Sequence, residues 1–403
     1  MKPPQGDRLR AVMYNGPVTW PCVLIQVLDA IIVLGVIPAP LLAFWAGLWA
    51  AMDVLIFPKD KELTAWSCVA IGVTLLLLLN FFQKVFYDAT RNINPFLYGF
   101  LWRLHAYVGT FASVSMWRGM WEGLEFYTGK SALSLVIGAI IAAAILIPLR
   151  VFNGIVGSPA LVGKEVVADP FKIHTRFQTI PSRSCKFVLD VFLNVFVISV
   201  LTVVYFRAVY DLMEKVLYPG DKVRNLWACM MLGNGVLVLC IVAQRYVVMA
   251  YRALEDRVWL RIALDDAFIL VVSFGVVNVW RGWWEFFDFY LLASGDILLR
   301  GSLLHLAGVS VCFLLCMART LSFPLSPERL DGELNCKTDN IMGMYLEDKE
   351  CCCFEPFHVT EDNTCMSQED EDARLVVTGT TEESEEGSLH NKAGTGYGST
   401  PGH

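Results

Sequence analysis

Long apolar runs separated by short charged joints dominate this chain, and the length of each run sets the first expectation. About 20 residues of helix are needed to cross the ~30 Å hydrocarbon core of a bilayer. Runs at Ala30–Met52, Ala65–Phe82, Leu97–Trp117, Ala132–Leu149, Val191–Phe206, Leu226–Gln244, Ala267–Trp280 and Gly301–Ala318 read as membrane-crossing helices, the fifth and seventh being the shortest. The expected fold is an all-α polytopic membrane protein of about eight transmembrane helices. Lys2, Arg8 and Arg10 precede an apolar run too long for a signal-peptide core, so the first span is expected to be an uncleaved anchor.

The polar residues that interrupt this pattern are themselves repeated. Trp117-Arg118-Gly119-Met120-Trp121-Glu122 returns as Trp280-Arg281-Gly282-Trp283-Trp284-Glu285, and Glu125 and Tyr127 are answered by Asp288 and Tyr290, all 163 positions on. At an offset of 161, Leu28-Asp29 matches Leu189-Asp190, and Phe57-Pro58 matches Tyr218-Pro219. The same offset pairs Cys68 with Cys229, Gly72 with Gly233, and Gln83-Lys84 with Gln244-Arg245. Matches in constant register imply a duplication of four spans per unit. An even number of spans returns the chain to its starting side, so the two tandem repeats should be parallel. The organisation expected is an N-terminal tail (1–21), a first four-helix unit (22–150), a cytoplasmic linker (151–182), a second four-helix unit (183–320) and a tail (321–403). Asn153-Gly154, Gly157-Ser158-Pro159 and Asp169-Pro170 mark the linker.

Composition agrees with this pattern. Hydrophobic residues make up 55% of the 403 residues and charged residues only 18%, too apolar a balance for an ordinary soluble domain of this length. Basic residues concentrate in alternate joints; the middle loop alone holds Arg150, Lys164, Lys172, Arg176, Arg183 and Lys186. The positive-inside rule then places both termini in the cytoplasm. Residues 331–403 carry 17 Asp/Glu against 4 Lys/Arg. Such a segment cannot bury enough apolar surface to fold alone, and it is expected to be a disordered cytoplasmic tail, either solvating or docking cytoplasmic partners.

Chemistry is sparse. No phosphate-cradling loop, metal-ligand spacing or nucleophile–base arrangement occurs, so no enzyme, metal site or cofactor is expected. A bilayer is the expected partner, with no nucleic acid. The repeated string is the concentrated signal. Arg118, Glu122 and Glu125 lie on one helix face, as do Arg281, Glu285 and Asp288, with Trp117/Trp121 and Trp280/Trp284 as adjoining stripes. At the outer ends of the third and seventh spans, these residues suit a buried ion-pair clasp between the units, plain interfacial anchoring, or a ligand site. Asp29 and Asp190 read either as functional intramembrane acids or as caps or first-turn residues of the apolar runs that follow. Pro38 and Pro40 read as a kink absent from the second unit, which has Ser199 and Leu201 there. Cys351-Cys352-Cys353 is a candidate for S-palmitoylation.

The paired strings, closed by Tyr127 and Tyr290, resemble the fuseless family of eight-pass neuronal membrane proteins over residues 20–325. That resemblance implies a presynaptic plasma-membrane protein that organises the active zone and clusters voltage-gated calcium channels. It transfers no catalytic residues. The tandem repeats also suit a small-molecule transporter, since such pairs often rock about a central site. Asn194, Asn234, Gln244 and Asn278 are the polar side chains at mid-depth that would have to form that site.

Overall fold

A computed structural model describes residues 20–161, 169–181, 184–254 and 256–321. The helices are α1 (Trp20–Ile31), α2 (Pro38–Leu55), α3 (Lys61–Thr90), α4 (Pro95–Thr128), α5 (Ala132–Leu146), α6 (Cys185–Phe192), α7 (Ser199–Val216), α8 (Lys222–Ala253), α9 (Val258–Phe286) and α10 (Ile297–Leu314). π-Helical turns at Ile32–Val36 and Leu193–Ile198 join α1 to α2 and α6 to α7 into two long rods. Among the described residues there is no strand, and six stretches are long and apolar enough to cross a membrane: Val27–Leu55, Lys61–Thr90, Cys185–Val216, Lys222–Ala253, Val258–Leu291 and Ile297–Leu314. α4 is not among them, its His, Trp, Tyr, Ser and Thr residues lowering its hydropathy, and α5 is too short.

Helix starts follow the caps that the sequence offers. Asp60 accepts from Leu63 N and Asp221 from Arg224 N, holding two of the backbone donors left open in the first turn. Just before them Phe57 (φ 43°) and Tyr218 (φ 48°) take the left-handed conformation, which turns each chain sharply into the following proline. The matched Phe57-Pro58 and Tyr218-Pro219 pairs are thus one turn used twice.

Adjacent helices form two hairpins, α3 on α4 and α8 on α9. The remaining pairs cross between the halves of the chain: α2 lies on α10, and α5 on α7. Each long N-terminal rod therefore packs against the last helix of the other half. Glycines set the closeness of the α2–α10 seam. A Cβ on Gly47 would stand 2.4 Å from His305 N, and one on Gly308 would stand 2.5 Å from Phe44 N. Both helix backbones touch there, as small residues permit in a membrane.

Several expectations need correction. The spans ending at Trp117 and Trp280 run on to Thr128 and, through a π turn, to Leu291, so helical structure continues past both repeated strings. Their charged residues lower hydropathy, which mimics a membrane boundary. The interruption after α1 is not specific to the prolines, because the second rod has its π turn at the matching positions. There Ser199 Oγ donates to Asn194 O (2.8 Å), the same carbonyl that accepts the Ser199 N–H across the π turn. Asp29 and Asp190 are buried in helix interiors, so neither caps its own helix. Asp190 instead accepts from Thr175 Oγ1 (2.6 Å), Phe177 N (3.0 Å), Thr179 N (3.3 Å) and Thr179 Oγ1 (2.8 Å).

The linker is also more than a connection. α5 and α10 end in the same way: Arg150 N and Cys316 N reach back to Ile147 O and Phe313 O, while Val151 N and Met317 N reach Leu146 O and Cys312 O. These paired bonds are Schellman turns, with Arg150 and Cys316 left-handed. After each turn the chain folds back into the bundle, burying Val151, Phe152, Ile155, Val156 and Ala160 on one side and Met317, Ala318 and Leu321 on the other.

If the α2–α10 seam depends on backbone contact, Gly47→Ile should destabilise the bundle by about 3 kcal/mol through overpacking. Gly35→Ala, where a Cβ meets nothing within 4 Å, should leave thermal unfolding in detergent unchanged. Equal unfolding temperatures for the two variants would count against the seam.

Candidate functional site

Successive residues on a helix point about 100° apart, and each member of the repeated string uses its own direction. Trp117 and Trp280 face the centre of the bundle and are each only 3% exposed. With Trp45 of α2 and Phe206 of α7 they form a closed ring. Centroids are 5.8 Å apart for Trp45–Trp117, 5.2 Å for Trp117–Phe206, 5.7 Å for Phe206–Trp280 and 5.1 Å for Trp280–Trp45, all edge-to-face. One turn along, Trp121 and Trp284 start a second layer, in which Trp49 meets both (6.2 and 5.2 Å) and Trp121 meets Tyr210 (5.1 Å). Two indole donors reach the re-entrant segments: Trp280 Nε1 donates to Ser158 O (2.7 Å) and Trp45 Nε1 to Leu321 O (3.0 Å). Trp117 and Trp280 are core residues, while Trp121 and Trp284 are partly buried.

The arginines turn away from this centre into their own hairpins. Arg118, 3% exposed, donates through Nε (3.0 Å) and Nη2 (2.5 Å) to Asp53 Oδ1, and through Nη1 to Thr64 Oγ1 (3.1 Å) and Cys68 Sγ (3.1 Å). Thr64 Oγ1 in turn donates to Ile56 O (2.6 Å). Arg281 donates through Nε to Asn225 Oδ1 (2.9 Å) and through Nη1 to Tyr210 O (3.3 Å), lies over the Tyr210 ring, and pairs with Glu285 at 3.5 Å. Asn225 Nδ2 passes the link on to Leu217 O. Thr64 and Asn225 occupy matching positions, as do Ile56 and Leu217, so each arginine braces the left-handed turn at Phe57 or Tyr218. The ion pairs of the string lie within each half of the chain, and the contacts that the string makes between the halves are aromatic.

Gly119 and Gly282 face the third direction. A Cβ at Gly119 would stand 2.6 Å from Ala65 O, and one at Gly282 would stand 2.9 Å from Met230 Cβ, so both hairpins close through these positions. Past the string the two copies diverge. Glu122 is half-buried. Glu125 pairs with Lys130 at 2.9 Å; burial opposes the Lys130 charge, but this carboxylate outweighs it and raises the ammonium pKa. Tyr127 OH donates to Glu62 Oε1 (2.5 Å) and accepts from Trp66 Nε1 (3.2 Å). Asp288 and Tyr290 fall in a π turn, Phe287–Leu291, that α4 lacks, and Tyr290 stacks on Phe286 instead.

Two buried polar clusters were not anticipated. Arg207 pairs with Asp211 at 3.3 Å, both almost fully buried, and donates to Gly129 O at the end of α4. His305 bridges Phe44 O (3.1 Å) and Tyr107 OH (3.0 Å), joining α10 to α2 and α4. Arg207-x-x-x-Asp211 was legible as a helical ion pair; its burial was not. Among the described residues no cluster of His, Cys, Asp or Glu could hold a metal ion. Cys351, Cys352 and Cys353 lie outside the described residues.

Removing Asp53 leaves a buried guanidinium without its carboxylate. Asp53 is 48% exposed in its side chain, so water moderates the effect, and Asp53→Ala should cost about 2 kcal/mol. Asp53→Ala with Arg118→Met should recover part of that loss in thermal melts. A double variant no more stable than the single would sink the bracing role. For the ring, Trp117→Ala should cost about 3–5 kcal/mol, measured the same way.

No curated protein and no solved structure shows a match to the chain. The profile of the Fuseless family matches residues 24–321, a stretch that contains both strings, both hairpins and both re-entrant segments. This all-α, multi-pass membrane protein belongs to the Fuseless family.

Proposed function

We propose that this protein is a membrane organiser rather than a conduit: eight spans in two parallel four-helix repeats, both termini cytoplasmic, acting at the presynaptic active zone to cluster voltage-gated calcium channels. Family membership supplies the synaptic part of this reading. The observation that carries the mechanical part is the filled centre. Two aromatic layers and two re-entrant segments occupy the place where a transporter would keep a polar site.

Two of the four mid-depth amides are taken up within their own helices. Asn234 and Asn278 donate to carbonyls one turn back in their own helices (2.8 Å each). The cavity between α7, α8 and α9, about 430 Å³, is lined by Tyr205, Val209, Leu212, Met213, Val236, Leu270, Val271 and Phe274 and is apolar. A rigid bundle of this kind suits holding partners at fixed positions. The parallel duplication keeps transport as the second reading, because paired repeats are the usual frame for rocking motions.

Loss of the protein from neurons should disperse calcium-channel clusters, and re-expression of the full chain should restore them, scored by immunofluorescence at release sites. Purified protein in liposomes should show no solute flux above empty vesicles. Normal clustering in the null neurons would overturn the organiser reading, and saturable flux would select the transporter.

A further inference from the structure

The loop between the re-entrant segment and α6 has the build of a lipid-headgroup contact. Its backbone is fixed from inside: Asp190, 1% exposed, accepts four bonds from Thr175, Phe177 and Thr179. Ile173 N donates to Gln83 Oε1 (2.9 Å), and Phe171 is buried against Phe86, Tyr98 and His105. Held in this way, the loop still presents Phe177 (60% exposed) and Ile180 (76% exposed) outward. Lys172 and Lys186 are exposed beside them, and the Arg176 guanidinium lies over the Phe177 ring. Arg176 Nε also donates to Leu149 O, and Asp169 Oδ1 accepts from Phe171 N, which fix the loop further.

Two features identify what covers this surface. Phe196, Phe192 and Leu189 form an exposed apolar stripe along the α6–α7 rod, and the stripe ends at Lys186. In a membrane helix such a stripe faces acyl chains, and the cation at its end marks the headgroup level. The loop's own apolar tips and cations continue that boundary.

We propose that residues 172–181, together with Lys186, form an anionic-phospholipid contact, with Phe177 and Ile180 seated among the upper acyl chains and Lys172, Arg176 and Lys186 on lipid phosphates. The Asp190 bonds pre-order the loop, so little conformational freedom is lost when lipid engages. Each cation near an anionic surface strengthens association about fivefold, so the three together are worth roughly 100-fold.

The test is amide hydrogen exchange of the full chain in nanodiscs of phosphatidylcholine, with and without phosphatidylserine. Exchange over residues 171–181 should slow when phosphatidylserine is present. Lys172→Gln/Arg176→Gln/Lys186→Gln should abolish that difference, and Phe177→Ser/Ile180→Ser should speed exchange in both discs. Unchanged exchange around Trp117 will show that the variants remain folded. Identical exchange in the two discs, or a phosphatidylserine effect that survives the triple variant, would overturn the proposal. So would inorganic phosphate reproducing the protection in phosphatidylcholine discs, because the site would then take a soluble anion.

Discussion

The closed ring of Trp45, Trp117, Phe206 and Trp280 is the contact on which the rest of the bundle depends. Lipid tails are as apolar as the side chains they would replace, so hydrophobic transfer does little to bring membrane helices together. Close packing, favourable ring geometry and hydrogen bonds must do it. Edge-to-face pairs contribute about 0.5–1.5 kcal/mol each beyond burial, and four of them close on one another here. Two members also donate indole hydrogens to the re-entrant segments. The ring thereby fixes the relation of α2, α4, α7 and α9 and the depth to which the chain folds back.

From this centre the repeated string works outward. Its tryptophan joins the two halves, its arginine braces a left-handed turn within one half, and its glycine lets one hairpin close. Three neighbouring residues thus serve three interfaces, which explains why the string recurs as a block. A guanidinium buried at this depth would be costly if left alone. Asp53 for Arg118, and Asn225, Tyr210 and Glu285 for Arg281, remove that cost by different chemistry.

The two halves are not interchangeable. At the α2–α10 seam, glycine contacts and the His305–Phe44 O bond draw the helices together. On the α5–α7 side, Arg207 and Asp211 stand where the first half has Ala46 and Ala50, and Arg207 reaches the end of α4. The first seam is held by backbone contact, whereas the buried ion pair lies within α7 and ties that helix to the end of α4. Such asymmetry gives a partner two distinct faces to recognise on a duplicated frame.

Much of this was legible in the sequence. Run length gave a helical membrane bundle, constant offsets gave the duplication, and the family followed from the paired strings. The Phe57-Pro58 and Tyr218-Pro219 match marked a shared turn before its geometry was known. What the sequence could not supply was the destination of each polar group. A charged residue in an apolar run looks the same whether it ends a span or is paired inside it, so Arg118 and Arg281 were placed at helix ends. Asp190 resembled a cap because its acceptors' partners, Thr175 to Thr179, belong to a different segment. The linker's turn signals predicted loops but not their burial, since a re-entrant path depends on α5 and α10 stopping short. Local periodicity and spacing determined the elements of this protein. Long-range packing decided the pairing of α2 with α10 and α5 with α7, because only in the assembled bundle do those side chains meet.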